Sequence, residues 1–160
     1  MSKTEMGLKE IDPFVSLFVP QHTWFQDLFK KNVVEKQSLS AFLVDLAVED
    51  LYRRKEVTET QYREYRTYVK AKRNFRKTRL REGDTKRHKV FSLYLPQSLS
   101  WLRTKLSSEN LSKSVGASSR SHYIWDLFVH SQKKSLAKNH YKEWELANLA
   151  PKGEDPRKAA

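Results

Sequence analysis

Ser16-Leu17-Phe18-Val19-Pro20-Gln21 returns 76 residues later as Ser92-Leu93-Tyr94-Leu95-Pro96-Gln97. In both copies apolar residues alternate and then stop at a proline, which has no N–H to offer a ladder. Each copy therefore reads as a short strand with a defined end. The likeness continues beyond the strand. Trp24-Phe25 and Phe29 match Trp101-Leu102 and Leu106, one residue further on. Ser40, Phe42, Leu43, Asp45 and Leu46 match Ser121, Tyr123, Ile124, Asp126 and Leu127 at an offset of 81, and Tyr62-Arg63-Glu64-Tyr65 matches Tyr141-Lys142-Glu143-Trp144 at 79. The changes in offset fall between periodic segments, as loop insertions do. Four blocks in one order imply a supersecondary unit used twice, too small to bury its own apolar face alone.

Working outward, residues 1–12 read as a flexible tail. A first unit with a basic third helix spans 13–81, a second unit with its own third helix spans 82–150, and 151–160 reads as a disordered tail rich in charge and proline. In the first unit a strand runs from Pro13 to Val19. Trp24, Phe25, Leu28 and Phe29 keep helical spacing from His22 to Lys31, and Ser38 or Ser40 caps a second helix carrying Phe42, Leu43, Leu46, Ala47 and Leu51. A third helix runs from Thr58 toward Arg81, where Glu82-Gly83-Asp84 ends it. The second unit has a strand over Lys89–Leu95, a first helix from Pro96 to about Ser108 and a longer turn over Leu111–Ser119. A second helix follows from Ser121 to about Lys134, and a third over Tyr141–Leu149. The expected fold is mainly α with a short antiparallel β-ribbon, made of two strand-helix-helix repeats, each followed by a third helix.

Composition narrows the partners. The 160 residues carry a net charge of +12, a field that favours polyanions, nucleic acid first and an anionic surface second. There is no cysteine, so no disulfide or thiolate metal site, and a cytoplasmic setting is expected. No run of about eighteen apolar residues suggests a membrane span, and no membrane partner is expected. Four glycines leave no phosphate-cradling loop. His22, His88, His122, His130 and His140 are scattered, and His122 and His130 lie eight apart on one helix. No metal, no cofactor and no enzymatic activity are therefore expected, and Asp45 and Asp126 read as a structural pair near the pseudo-twofold.

A strand ending at proline, then two helices separated by Gly116-Ala117-Ser118-Ser119-Arg120-Ser121, resembles the ribbon-helix-helix family of DNA-binding proteins. The resemblance covers roughly 13–54 and 87–134, and is better in the second unit. In that family two strands pair antiparallel and enter the major groove above a base of four helices. Two units in one chain look like the tandem members found among conjugative-plasmid regulators. The resemblance implies that Val19 and Leu95 point inward. Alternation then puts Val15, Leu17, Phe91 and Leu93 inside, and Phe14, Ser16, Phe18, Val90, Ser92 and Tyr94 outside. Ser16, Phe18, Ser92 and Tyr94 become the candidate base-contacting residues. The family usually carries longer polar side chains there, so this aromatic face meets either DNA, where thymine methyl groups are accessible, or protein.

Phosphate contacts are expected at the N-termini of the second helices, where unbonded N–H groups favour anions, from Ser40 and from Ser119, Arg120 and Ser121. Simple capping would explain the serines equally well. Further contacts are expected from the basic run between Lys70 and Lys89, with Arg73, Arg76, Lys77, Arg87 and Lys89 as candidates. Tyr62, Tyr65, Tyr141 and Trp144 are expected to pack against the core or a second copy. The expected function is sequence-specific binding of double-stranded DNA by a transcriptional regulator. The alternatives are an accessory DNA-binding protein at a plasmid transfer origin and a protein–protein adaptor. A homodimer and another regulatory or transfer protein stand as further partners, and the ribbon can form within one chain or between two.

Overall fold

Alternation of Val15 and Leu17 with Phe14, Ser16 and Phe18 makes strand β1 (Phe14–Phe18), whose odd-numbered residues are buried and whose even-numbered ones face outward. The structure, a computed structural model, describes residues 13–35, 38–71 and 88–148. In it β1 pairs antiparallel with β2 (Val90–Tyr94) of the same chain. Ser16 lies opposite Ser92 at the middle of the ribbon, Phe14 opposite Tyr94 at one end and Phe18 opposite Val90 at the other. Two further backbone bonds extend the ladder, from Val19 N–H to the Lys89 carbonyl (2.9 Å) and from Leu95 N–H to the Pro13 carbonyl (2.7 Å).

Beneath the ribbon lies a helical base. Helix α1 (Thr23–Glu35) buries Phe25, Leu28, Phe29 and Val33. Its buried Gln26 side chain donates to the Pro20 and His88 carbonyls and accepts from the His88 N–H, fastening the approach to β2 onto α1. Helix α2 (Leu39–Arg53) starts at Ser38, whose hydroxyl accepts from Ala41 N–H, and it buries Leu39, Leu43, Ala47 and Leu51 along one stripe. Helix α3 (Glu59–Ala71) opens with a reciprocal capping box between Thr58 and Gln61.

After β2 come α4 (Ser100–Lys105), α5 (Ser108–Val115), α6 (Arg120–Ser131), a 3₁₀ turn over Lys133–Ser135, and α7 (Lys138–Asn148). Helices α2 and α6 pack against each other, α2 also against β2 and α6 against β1. Trp125 of α6 is fully buried among Phe25, Phe29, Phe91 and Phe128. Such interlocked edge-to-face rings fix a core geometry beyond what apolar burial alone requires.

One segment differs from the sequence expectation in kind. Leu111–Ser119 is not a long turn, because its first part belongs to α5. Ser107 caps that helix by accepting from Asn110 N–H, and Leu111 is buried. Gly116 ends it at φ 74°, a left-handed conformation that favours glycine. The turn proper is only 116–119. The first helix of the second half is correspondingly cut to six residues. The tails 1–12 and 151–160, and the end of the third helix toward Arg81, lie outside the described residues. Among the described residues no helix is long and apolar enough to cross a membrane.

Candidate functional site

The outer face of the ribbon is where the structure departs most from an ordinary surface. Phe18 is 74% exposed, Val90 50%, Phe14 49% and Tyr94 40%, and with Leu146 they are the large exposed apolar side chains among the described residues. Four of those five share one face of a ten-residue sheet. Ser16 and Ser92, also exposed, are the polar side chains between them. At one corner the Phe14 and Tyr94 rings meet edge to face, 5.4 Å between centroids. The Tyr68 hydroxyl of α3 hydrogen-bonds Tyr94, so the polar tip of Tyr94 already has a protein partner. Burial first, and then Tyr94, push the Tyr68 phenol above its ordinary pKa.

The backbone behind this face is held tightly. Phe18 N–H donates to Ser121 Oγ at 2.8 Å, and its carbonyl accepts from the buried Trp125 indole, also at 2.8 Å. Tyr94 N–H donates to Ser40 Oγ at 2.7 Å. Ser40 and Ser121 therefore clamp opposite ends of the ribbon from the first turns of α2 and α6. The caps themselves are two residues earlier, at Ser38 and Ser119, which accept from Ala41 and His122 N–H groups. Each helix thus begins with two serines of different duty, one for the helix and one for the ribbon.

Arg120 has a partner that its sequence position does not suggest. Its Nε donates to the Leu106 carbonyl at 2.7 Å, tying α6 to the end of α4, and its backbone N–H donates to Ser108 Oγ. Burial, with the neighbouring Arg103 charge, lowers the guanidinium pKa. Lys89 is exposed beside β2. Arg73, Arg76, Lys77 and Arg87 lie outside the described residues.

Other polar contacts come in matched pairs. Trp24 Nε1 of α1 donates to Glu143 of α7 at 2.9 Å, while Trp101 Nε1 of α4 donates to Glu64 of α3 at 2.7 Å. Tyr65 donates to Asp45, joining α3 to α2, while Trp144 Nε1 donates to Asp126, joining α7 to α6. Asp45 and Asp126 each anchor a third helix. Tyr65, Tyr141 and Trp144 are buried, and Tyr62 stacks on Tyr52 with ring centroids 4.0 Å apart.

One buried charge among the described residues lies outside the sequence expectations. Asp50 is buried, its side chain only 3% exposed, and it accepts from the Tyr123 hydroxyl at 2.6 Å, from Arg54 and from Arg53. Burial alone would raise the carboxyl pKa. The hydrogen bonds from Tyr123 and Arg54, the Arg54 charge and the bond from Arg53 outweigh it and hold the group below its usual value. The signal was present: positions 43, 46, 47, 50 and 51 form one helical stripe, and Asp50 is the charged member of it. Among the described residues no group of three or more His, Asp or Glu side chains is placed to hold a metal ion. Compared with protein-family models, with curated proteins and with solved structures, the chain gives no significant match.

Proposed function

We propose that this chain binds double-stranded DNA in a sequence-specific manner and acts as a transcriptional regulator, with the β1–β2 ribbon entering the major groove. The observation that carries the reading is a two-stranded antiparallel ribbon, centred on Ser16 and Ser92, that turns an uncovered face outward from a chain of net charge +12. A two-stranded ribbon matches the roughly 12 Å width of the major groove, and its alternate side chains then reach base edges. The strands and their flanks, residues 13–26 and 88–108, contain no carboxylate, so nothing acidic on them opposes a phosphate backbone.

The finer architecture belongs to the same proposal: two ribbon-helix-helix-like units in tandem, each followed by a third helix. Its support lies in contacts made twice at corresponding sequence positions. These are Ser40 to Tyr94 and Ser121 to Phe18, Trp101 to Glu64 and Trp24 to Glu143, and Tyr65 to Asp45 and Trp144 to Asp126.

Selection of bound sequences from random duplex DNA tests the function. A sharp motif is expected, with affinity that falls steeply as salt rises. Replacing Arg73, Arg76 and Lys77 by Ala should weaken binding to all duplexes alike and flatten the log–log salt slope by about 0.9 for each phosphate no longer neutralised. Enrichment of one long site of transfer-origin type would favour the accessory role. The exposed Phe14, Phe18, Val90 and Tyr94 favour a second reading, an adaptor that docks protein on this face. Absence of any enriched DNA sequence would favour it over the first.

A further inference from the structure

Resting on the DNA-binding reading, we propose that the ribbon recognises the C5-methyl groups of pyrimidines in the major groove, those of thymine and equally of 5-methylcytosine. The side chains on the outer face decide this. Hydrogen-bond readout of bases normally uses side chains with paired donors and acceptors, such as Arg, Asn or Gln. None of the ten ribbon residues is of that kind. The polar groups in the middle are two serine hydroxyls with short reach, and the Tyr94 hydroxyl is engaged by Tyr68. What the face offers is the Phe18 ring beside Val90 at one end and the Phe14–Tyr94 ring pair at the other. In the major groove the apolar feature that varies with sequence is the pyrimidine methyl group.

The way Phe18 is held supports the same occupant. Both polar groups of its peptide are bonded inward, to Ser121 and to Trp125, while three-quarters of the residue is exposed. An apolar ring kept in water on a fixed backbone is pre-organised for a small apolar contact, so little ordering cost remains at binding. Phe14 and Phe18 are four residues apart on β1, about 13 Å at 3.3 Å per residue. That distance spans about four base pairs at 3.4 Å each. The arrangement therefore fits methyl-bearing pyrimidines flanking a short centre faced by Ser16 and Ser92.

The test uses the full chain and a duplex obtained by selection from random DNA. That duplex is resynthesised with uracil for thymine, which keeps every hydrogen-bonding group and removes only the methyl, and with 5-methylcytosine for cytosine. Binding to the uracil duplex should weaken by about fourfold for each recognised methyl that is removed, the effect of burying one such carbon. The 5-methylcytosine duplex should bind at least as tightly as the parent. In Phe18→Ala the thymine–uracil difference should shrink while salt-dependent binding persists, with thermal stability unchanged because the ring is exposed. Equal affinity of the wild-type chain for thymine and uracil duplexes would overturn methyl recognition and leave DNA binding standing. Failure of selection to yield any bound duplex would instead overturn the reading on which it rests.

Discussion

At the scale of the residue, Asp50 shows how a charged group can sit on the apolar stripe of α2. Its carboxylate is tolerated because Tyr123 reaches across from α6 and two arginines close over it. Since its folded pKa is depressed, Asp50 contributes stability that is complete above the unfolded carboxylate value of about 3.9. That contribution disappears as pH falls through the lower folded value. Tyr123→Phe removes one bond while burial remains, so the folded pKa should rise and acid unfolding should begin at a higher pH. At neutral pH the variant should be destabilised by roughly 1.5–3 kcal/mol, the usual worth of a hydrogen bond to a charged group. Urea unfolding at pH 7 and an acid titration followed by circular dichroism measure both effects. An unchanged acid midpoint would show that Tyr123 does not keep this carboxylate ionised.

At the scale of the element, the ribbon is too small to hold itself, since two strands alone are marginal in water. It is held by the burial of Val15, Leu17 and Leu93 and, at its ends, by the two serine clamps. Ser121→Ala should free the Phe18 amide and Ser40→Ala the Tyr94 amide, each costing about 0.5–1 kcal/mol because water can replace the missing hydroxyl at these exposed groups. The sites lie at opposite ends of the ribbon, so the double variant should be close to additive. Amide hydrogen exchange gives the sharper reading: faster exchange at Phe18 alone in Ser121→Ala, and at Tyr94 alone in Ser40→Ala. Acceleration at both amides in either variant would mean the ribbon opens as one unit. These elements were largely legible in the sequence. Alternation around Leu17 and Leu93 is a two-residue period, and Leu43, Ala47 and Leu51 form a helical stripe. Helix α5 was not legible, because its apolar stripe is only two residues long, Leu111 and Val115. The Asp50–Tyr123 and Arg120–Leu106 bonds were hidden for another reason: they join different elements, and no local pattern encodes a partner 73 or 14 residues away.

At the scale of the whole molecule, β1 and β2 pair within one chain, and α1 and α4 are fastened to α7 and α3 by Trp24–Glu143 and Trp101–Glu64. A fold completed by its own chain has no association step. Its melting temperature should therefore stay constant from about 1 to 100 µM protein, whereas a fold completed by strand exchange would melt higher as concentration rises. Scanning calorimetry across that range decides between them, and a rising midpoint would show that chains share ribbons. The in-chain register has a consequence for how such a face can change over generations. When identical chains supply both strands, one altered codon appears on both, and the face stays two-fold symmetric. Here Ser16 meets Ser92, but Phe14 meets Tyr94 and Phe18 meets Val90, so the two corners already differ. Each codon of the ribbon is expressed once per ribbon, and inheritance can alter one corner while the other stays as it was.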